Sequence, residues 1–338
     1  MAKILEPHTL NSTPLKNRII MEPMCMYSAT GHDGIPTNFH YAHYVSRAIG
    51  QVGLIIVEAT GITPEGRISD LCLGLWNDDQ KQAFKKIVDG IHEQGGKAII
   101  QFNHAGRKCT ATKGVNTIYA PSATPFSDQY RTPKMLSKSD IKTIIQAFTH
   151  SAQLALDAGF DGIEIHAAHG YLLSEFMSPL SNQREDDYKD GSVILKELTD
   201  ALRSFWPKDK LLSIRVSARD YAEHGLNASS TIQQLKPIAH DYDLINVSSG
   251  GIVNVAPDAI FPGYQVNDAL AIKQALKCHV VACGLLGDYD LAAFLIESDQ
   301  VDYIGLARPL LQNPNWTLGL YNKHQQKDKI TTQYQRGF

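Results

Sequence analysis

Short runs rich in Ile and Val, apolar at nearly every position, alternate along this chain with stretches whose apolar residues recur every three or four positions. The first kind reads as strands buried on both faces, as in a parallel sheet. The candidates are Arg18–Glu22, Gly53–Ala59, Lys97–Phe102, Gly162–His166, Leu211–Val216, Asp243–Ser248, His279–Cys283 and Val301–Leu306. The second kind reads as amphipathic helices, because i, i+3, i+4, i+7 spacing lines up one face. Phe84, Ile87, Val88 and Ile91 make one such stripe, and Ile141, Ile144, Ile145 and Phe148 another. Leu195/Leu198/Leu202/Phe205, Ile232/Leu235/Ala239 and Leu291/Phe294/Leu295 follow. Gly95, Gly96 and Gly159 stand where helix-ending glycines belong.

Eight βα units without a linker predict one closed (β/α)8 TIM-barrel domain over residues 1–338 rather than an open doubly wound sheet. No Gly-x-Gly-x-x-Gly follows the early strands, which counts against a Rossmann domain. The composition, 43 % hydrophobic and 20 % charged, supports a large core and excludes a disordered or fibrous chain. A net charge of −3 argues against a nucleic-acid partner. Met1 to Leu10 has no apolar run, and no stretch reaches the ~18 apolar residues of a membrane span. The cysteines (Cys25, Cys72, Cys109, Cys278, Cys283) are odd in number and scattered, so neither a disulfide framework nor a metal site is expected. A cytoplasmic enzyme is the expectation.

Barrel active sites gather where the strands end at their C-termini. Those ends carry Pro23-Met24-Cys25-Met26-Tyr27, Ala59-Thr60, Gln101 to Lys108, His166 to Tyr171, Arg215, Ser248 to Gly251, Gly284 and Ala307-Arg308. The longest irregular stretch, Asn103 to Ser137, follows the third strand, where a substrate lid is expected. Gly284 to Gly287 and Ala307-Arg308-Pro309 close the seventh and eighth strands, the usual phosphate position in barrels. His166 and His169 read as a zinc pair, as ordinary hydrogen-bonders, or as neutral donors aimed at one substrate oxygen, and no third ligand supports the metal. Cys25 reads as a nucleophile, a packed thiol or a residue facing a cofactor. Tyr27 and Tyr171 read as wall residues or acids.

Four runs carry a resemblance: Pro23 to Ser28 (PMCMYS), His40 to Tyr44 (HYAHY), His104 to Lys108 (HAGRK) and His166 to Ser181 (HAAHGYLLSEFMSPLS). With them the chain resembles the old yellow enzyme family of FMN-dependent ene-reductases, in its bacterial NADPH dehydrogenase and xenobiotic-reductase branch. The resemblance implies FMN over the barrel mouth, touched by Pro23, Met24, Cys25 and Ala59. It implies Gln101 at the pyrimidine end, Arg215 near N1 and the C2 carbonyl, and the phosphate on Gly284, Ala307 and Arg308. Cys25 would tune the flavin, His166 and His169 would hold a substrate carbonyl oxygen, Tyr27 would assist and Tyr171 would donate a proton. NADPH is the implied hydride donor and electrophilic alkenes are the implied substrates. The polar stretch Lys323 to Thr332 reads as mobile, yet the ending Tyr334 to Phe338 resembles the branch's tail. That tail implies a homodimer or homotetramer in which Arg336 enters the neighbouring active site, with Phe338 anchoring it.

Three departures from the family pattern stand out. Glu22 occupies a position usually held by alanine or serine, and an inward-pointing side chain there lowers the expected flavin potential. The segment after Tyr188 is shortened, and Asn103 is unusual. A 2,4-dienoyl-CoA reductase-like flavoenzyme is the alternative within the same chemistry, disfavoured because no cluster-binding cysteines are seen. A flavin-binding sensor without turnover is the non-enzymatic alternative, disfavoured by the His166/His169/Tyr171 set.

Overall fold

A computed structural model describes residues 2–257 and 259–338. Eight parallel strands close into a barrel. They are β1 (Ile19–Met21), β2 (Leu54–Gly61), β3 (Ala98–Asn103), β4 (Gly162–Ala167), β5 (Leu211–Ser217), β6 (Leu244–Ser248), β7 (Val280–Ala282) and β8 (Tyr303–Leu306). Each pairs with its sequence neighbours, and β8 returns to β1, as right-handed βαβ crossovers require. All eight predicted strands are present. The ladder between β2 and β3 shifts register between Val57 and Thr60, and such an irregularity re-aims side chains near a barrel rim.

The predicted stripes lie on α2 (Asp78–Glu93), α3 (Lys138–Asp157), α5 (Gly191–Arg203), α6 (Ala228–Leu235) and α8 (Tyr289–Glu297); α1 (Asn38–Ile49) precedes them, and α4 (Leu172–Met177) and α7 (Val266–Leu276) lie between them in the chain. Three residues fall outside their assigned roles. Phe205 lies beyond α5 and Ala239 in a separate 3-10 turn, while Phe294 faces outward and is 59 % exposed. α8 instead buries Ala292, Leu295 and Ile296. Gly95 and Gly159 adopt φ of +64° and +91° at the ends of α2 and α3, whereas Gly96 keeps an ordinary φ.

Some elements were not foreseen. α1 buries Tyr44, Val45 and Ala48 in the core together with His40, His43 and Arg47, so its inner face mixes a short apolar stripe with polar groups. A hairpin, His8–Leu10 against Thr13–Leu15, places Leu10 and Leu15 under the barrel. The expected lid is a packed loop in its own right. Tyr119–Ala120 pairs with Lys134–Met135, and Ala105, Cys109, Ala111, Val115 and Ile118 form a small core against which Tyr171 packs. The shortened segment makes a 3-10 turn (Asp187–Lys189) leading straight into α5, held by Asn182 Nδ2 donating to Tyr188 O at 2.8 Å. Among the described residues no helix is long and apolar enough to cross a membrane.

Strand side chains alternate, so every second residue points into the barrel. The lower layers are apolar: Ile20, Leu54, Ile56, Ile99, Leu211, Leu244, Val281 and Tyr303 cluster with Leu10 and Leu15. Following the same alternation towards the C-terminal rim gives Glu22, Gln101, Glu164, Ser213, Arg215, Asn246 and Cys283, all buried. The barrel therefore changes from hydrocarbon to a polar network beneath its mouth.

Candidate active site

Arg215 on β5 is the hub of that network. Its Nη1 lies 2.8 Å from Glu22 Oε2, and its Nη2 donates to Cys283 Sγ at 3.8 Å. Burial alone would lower its pKa, but Glu22, Cys283 and Glu164 hold it above the ordinary arginine value. Glu164 accepts from Gln101 Nε2 at 2.8 Å, Ser213 Oγ at 3.0 Å and Asn246 Nδ2 at 3.2 Å. Burial pushes its carboxyl up to about 7 despite the nearby Arg215 charge. Gln101 thus gives an amide hydrogen to Glu164 and keeps its carbonyl oxygen to accept from above.

A cavity of about 510 Å3 opens beside this hub, with Glu22, Arg215, Gly284, Gly287, Ala307 and Arg308 in its wall. Gly284 has φ of +108°, and a Cβ there would lie 2.9 Å from the Tyr264 ring, so glycine alone fits. Among the described residues, the backbone N–H groups from Gly284 to Gly287 and at Ala307 and Arg308 donate to no protein acceptor. Arg308 is exposed and makes no ion pair there. Open N–H groups beside a free guanidinium are a receptor for an anion such as phosphate.

The second cluster stands at the end of β4. His166, His169 and Tyr171 converge, with ring centroids 5.2 Å apart for the two histidines and 5.0 Å for His166 and Tyr171. The turn that brings the histidines together places His169 at φ +59°. Burial holds both imidazoles well below the usual histidine pKa, helped by the charges of Arg215 and Lys108, so both are neutral. His166 Nδ1 accepts from Ala168 N at 3.3 Å, which leaves its proton on Nε2. His169 differs from the simple donor-pair expectation, because its Nε2 is already engaged with Ser248 Oγ at 2.7 Å. With Ser248 as the donor, His169 carries its proton on Nδ1.

Burial also raises the Tyr171 phenol above its ordinary pKa. Lys108 Nζ sits 5.1 Å from the Tyr171 ring and 4.7 Å from Phe126 of the packed loop, while donating to His169 O at 2.9 Å. Burial lowers the Lys108 ammonium to about 8. Tyr27 is 53 % exposed at φ +52°, on the rim rather than in the wall.

Cys25 has its pKa raised well above the usual thiol value by the neighbouring Cys72 thiol first, then by burial. It is therefore a protonated thiol and not a ready nucleophile. The turn carrying it is braced by Glu58, whose Oε2 accepts from Met26 N at 2.8 Å and whose Oε1 accepts from Tyr44 OH at 3.0 Å. Burial pushes Glu58 up to about 8. Asn103 donates to Gly66 O at 3.3 Å and ties two rim loops together. Arg336 is not brought to the rim of its own chain. The stretch read as mobile is pinned by buried Ile330 and by Thr331 Oγ1, which donates to Ile49 O at 2.8 Å where α1 ends, on the opposite side of the barrel. Arg336 follows in an exposed 3-10 turn, and Phe338 packs onto the core.

Residues 3–327 match the NADH:flavin oxidoreductase / NADH oxidase family. An NADPH dehydrogenase of Listeria monocytogenes serotype 4a is 46 % identical over 319 residues, covering 93 % of each chain. An NADPH dehydrogenase of a Geobacillus species is 42 % identical over 340 residues, covering 99 % of this chain and 98 % of its own. The structure of morphinone reductase in complex with tetrahydroNAD superposes with a TM-score of 0.80 at 24 % identity, over 95 % of this chain and 90 % of that one, a likeness of fold.

Proposed function

The chain belongs to the NADH:flavin oxidoreductase / NADH oxidase family, and from that membership we propose that it is an NADPH-driven, FMN-dependent ene-reductase of activated alkenes. The observation that carries this reading is the convergence of His166, His169 and Tyr171 beside the Arg215 cavity. Its residues suit FMN: open N–H groups with Arg308 for the phosphate, the buried and unpartnered Arg215 Nε, and the free Gln101 carbonyl. Pro23, Met24, Cys25 and Ala59 would complete the wall. When bound, FMN supplies the carrier that takes hydride from NADPH and passes it to the alkene's β-carbon.

The protein's own residues do the rest. His166 Nε2–H and His169 Nδ1–H receive the carbonyl oxygen of an enone and stabilise the charge that develops on it. Because both rings are neutral and their partners are fixed beforehand, they need not reorganise during the reaction. Tyr171 delivers a proton to the α-carbon, and Tyr27 assists in holding the substrate. The test is direct: the purified protein should be yellow, bleach with NADPH under exclusion of air, and recolour with 2-cyclohexenone. A colourless protein that cannot be reconstituted with FMN overturns the reading.

The tail belongs to the same proposal. Its anchor lies on the far side of the barrel from the rim, so an active-site role for Arg336 is one played in a second copy, within a homodimer or homotetramer. Deleting Arg336 to Phe338 is expected to raise KM for enones several-fold while FMN stays bound. Unchanged kinetics, or a fully active monomer on a sizing column, would remove Arg336 from the site.

A further inference from the structure

The interior of the barrel holds a charge arrangement that the proposed reaction does not use. Glu22 follows directly on β1 and is 1 % exposed. Its side chain turns into the barrel, where Oε2 meets Arg215 Nη1 at 2.8 Å and accepts from Asn246 Nδ2 at 3.1 Å. Oε1 is buried without a partner, in a space that exists because residue 305 is glycine. A Cβ at Gly305 would lie 2.2 Å from that oxygen. The inward carboxylate is therefore built into two strands, and Asn246, bonded to both Glu22 and Glu164, fixes its orientation.

The physical consequence concerns the net charge next to the cavity. A flavin gains negative charge on two-electron reduction, so a lone buried guanidinium would favour the reduced form over the oxidised one. A carboxylate at hydrogen-bond distance cancels most of that field, because both charges lie in a low-dielectric interior and are seen nearly from one point. Both Glu22 and Arg215 are in the cavity wall, so nothing screens one and not the other. The other groups beside Arg215 cannot restore a positive field: Glu164 carries no positive charge in either protonation state, and burial keeps the Cys283 thiol neutral.

We propose that Glu22, by pairing with Arg215, holds down the reduction potential of the bound flavin and so sets how readily it releases hydride. The inference rests on the flavin reading above and adds to it a tuning residue that acts through Arg215. Dye-equilibration measurement of the midpoint potential of the FMN-loaded protein tests it, with Glu22→Gln, Glu22→Ser and Glu22→Asp beside the parent. The Gln and Ser variants are expected to bias the two-electron equilibrium towards the reduced form at least tenfold, a rise of about 30 mV. The Asp variant, which keeps the charge, should stay near the parent. A second measurement covers poor folding of one variant: by the same cycle, the ratio of FMN affinities, reduced over oxidised, must rise by the same factor in whichever neutral variant folds. A loaded neutral variant with unchanged or lowered potential overturns the role of Glu22. A parent protein that binds no FMN overturns the flavin reading itself, and the inference with it.

Discussion

Replacing His166 with alanine is expected to lower kcat for 2-cyclohexenone by ~10²–10³-fold, the usual cost of removing one donor from a preorganised oxyanion site. The site is preorganised in a specific sense. Ala168 N occupies Nδ1, burial keeps the ring neutral, and the proton is left on the nitrogen free to donate. The loss should fall on the half-reaction that consumes the alkene. Flavin binding should persist, because among the described residues Arg215, Gln101 and the Gly284–Arg308 cradle take no hydrogen bond from His166. Stopped-flow measurement of the two half-reactions separates these effects. An oxidative half-reaction within about threefold of the parent would return His166 to an ordinary packing role, since that is far below the effect of a lost donor. His169 should behave differently, because its donor tautomer depends on Ser248.

The strands were legible because each is a short apolar run, and their C-terminal ends alone located His166, His169, Arg215, Gln101 and the Gly284–Arg308 loops. What escaped was the layer beneath. Counting in twos back from Arg215 reaches Ser213, and back from His166 reaches Glu164; the same count from Ser248 gives Asn246. A polar residue at an inward parity of an otherwise apolar barrel strand was a signal in plain view. Glu58 answers to the same count in twos, but beyond the register shift of β2 its carboxylate meets Tyr44 of α1 and Met26 N rather than the barrel network. Cys72 and Ser248 were less accessible. Their importance comes from contacts with Cys25 and His169 across long chain separations, which no local pattern encodes. α1 was there to be read from Tyr41, Tyr44, Val45 and Ala48, which fall at i, i+3, i+4, i+7, but the buried His40, His43 and Arg47 among them dilute the apolar signal.

The layer that was missed explains why the visible residues work. Glu58 and Tyr44 fix the backbone at Met26, and so the turn on which Cys25 and Tyr27 stand. Ser217 Oγ accepts from His169 N at 2.9 Å and donates to Gly250 O at 2.8 Å, holding the left-handed turn in place. Each of these groups is buried, bonded and removed from the cavity, which is how a site on loop ends acquires the rigidity of the barrel.

Tyr171→Phe is the second large effect expected. The ring packs on the small core of the long loop and edge-on to His166, so phenylalanine keeps the contacts and removes only the hydroxyl. Burial holds that hydroxyl protonated throughout the working pH range, so no ionisation of Tyr171 should shape the profile. Lys108 lies over the ring and binds the backbone at His169, which orients the phenol towards the histidines' side of the site. Loss of a positioned general acid costs ~10²–10⁴-fold. Enone turnover should fall by at least ~10², while bleaching by NADPH proceeds at the parent rate. Quinones, whose oxygens take protons from solvent without help, should suffer far less. In deuterated water the parent should label the α-carbon on one face only, and the variant's residual product should carry label on both. A variant that retains enone turnover and single-face labelling would assign the proton to another donor, and Tyr171 would be a wall residue.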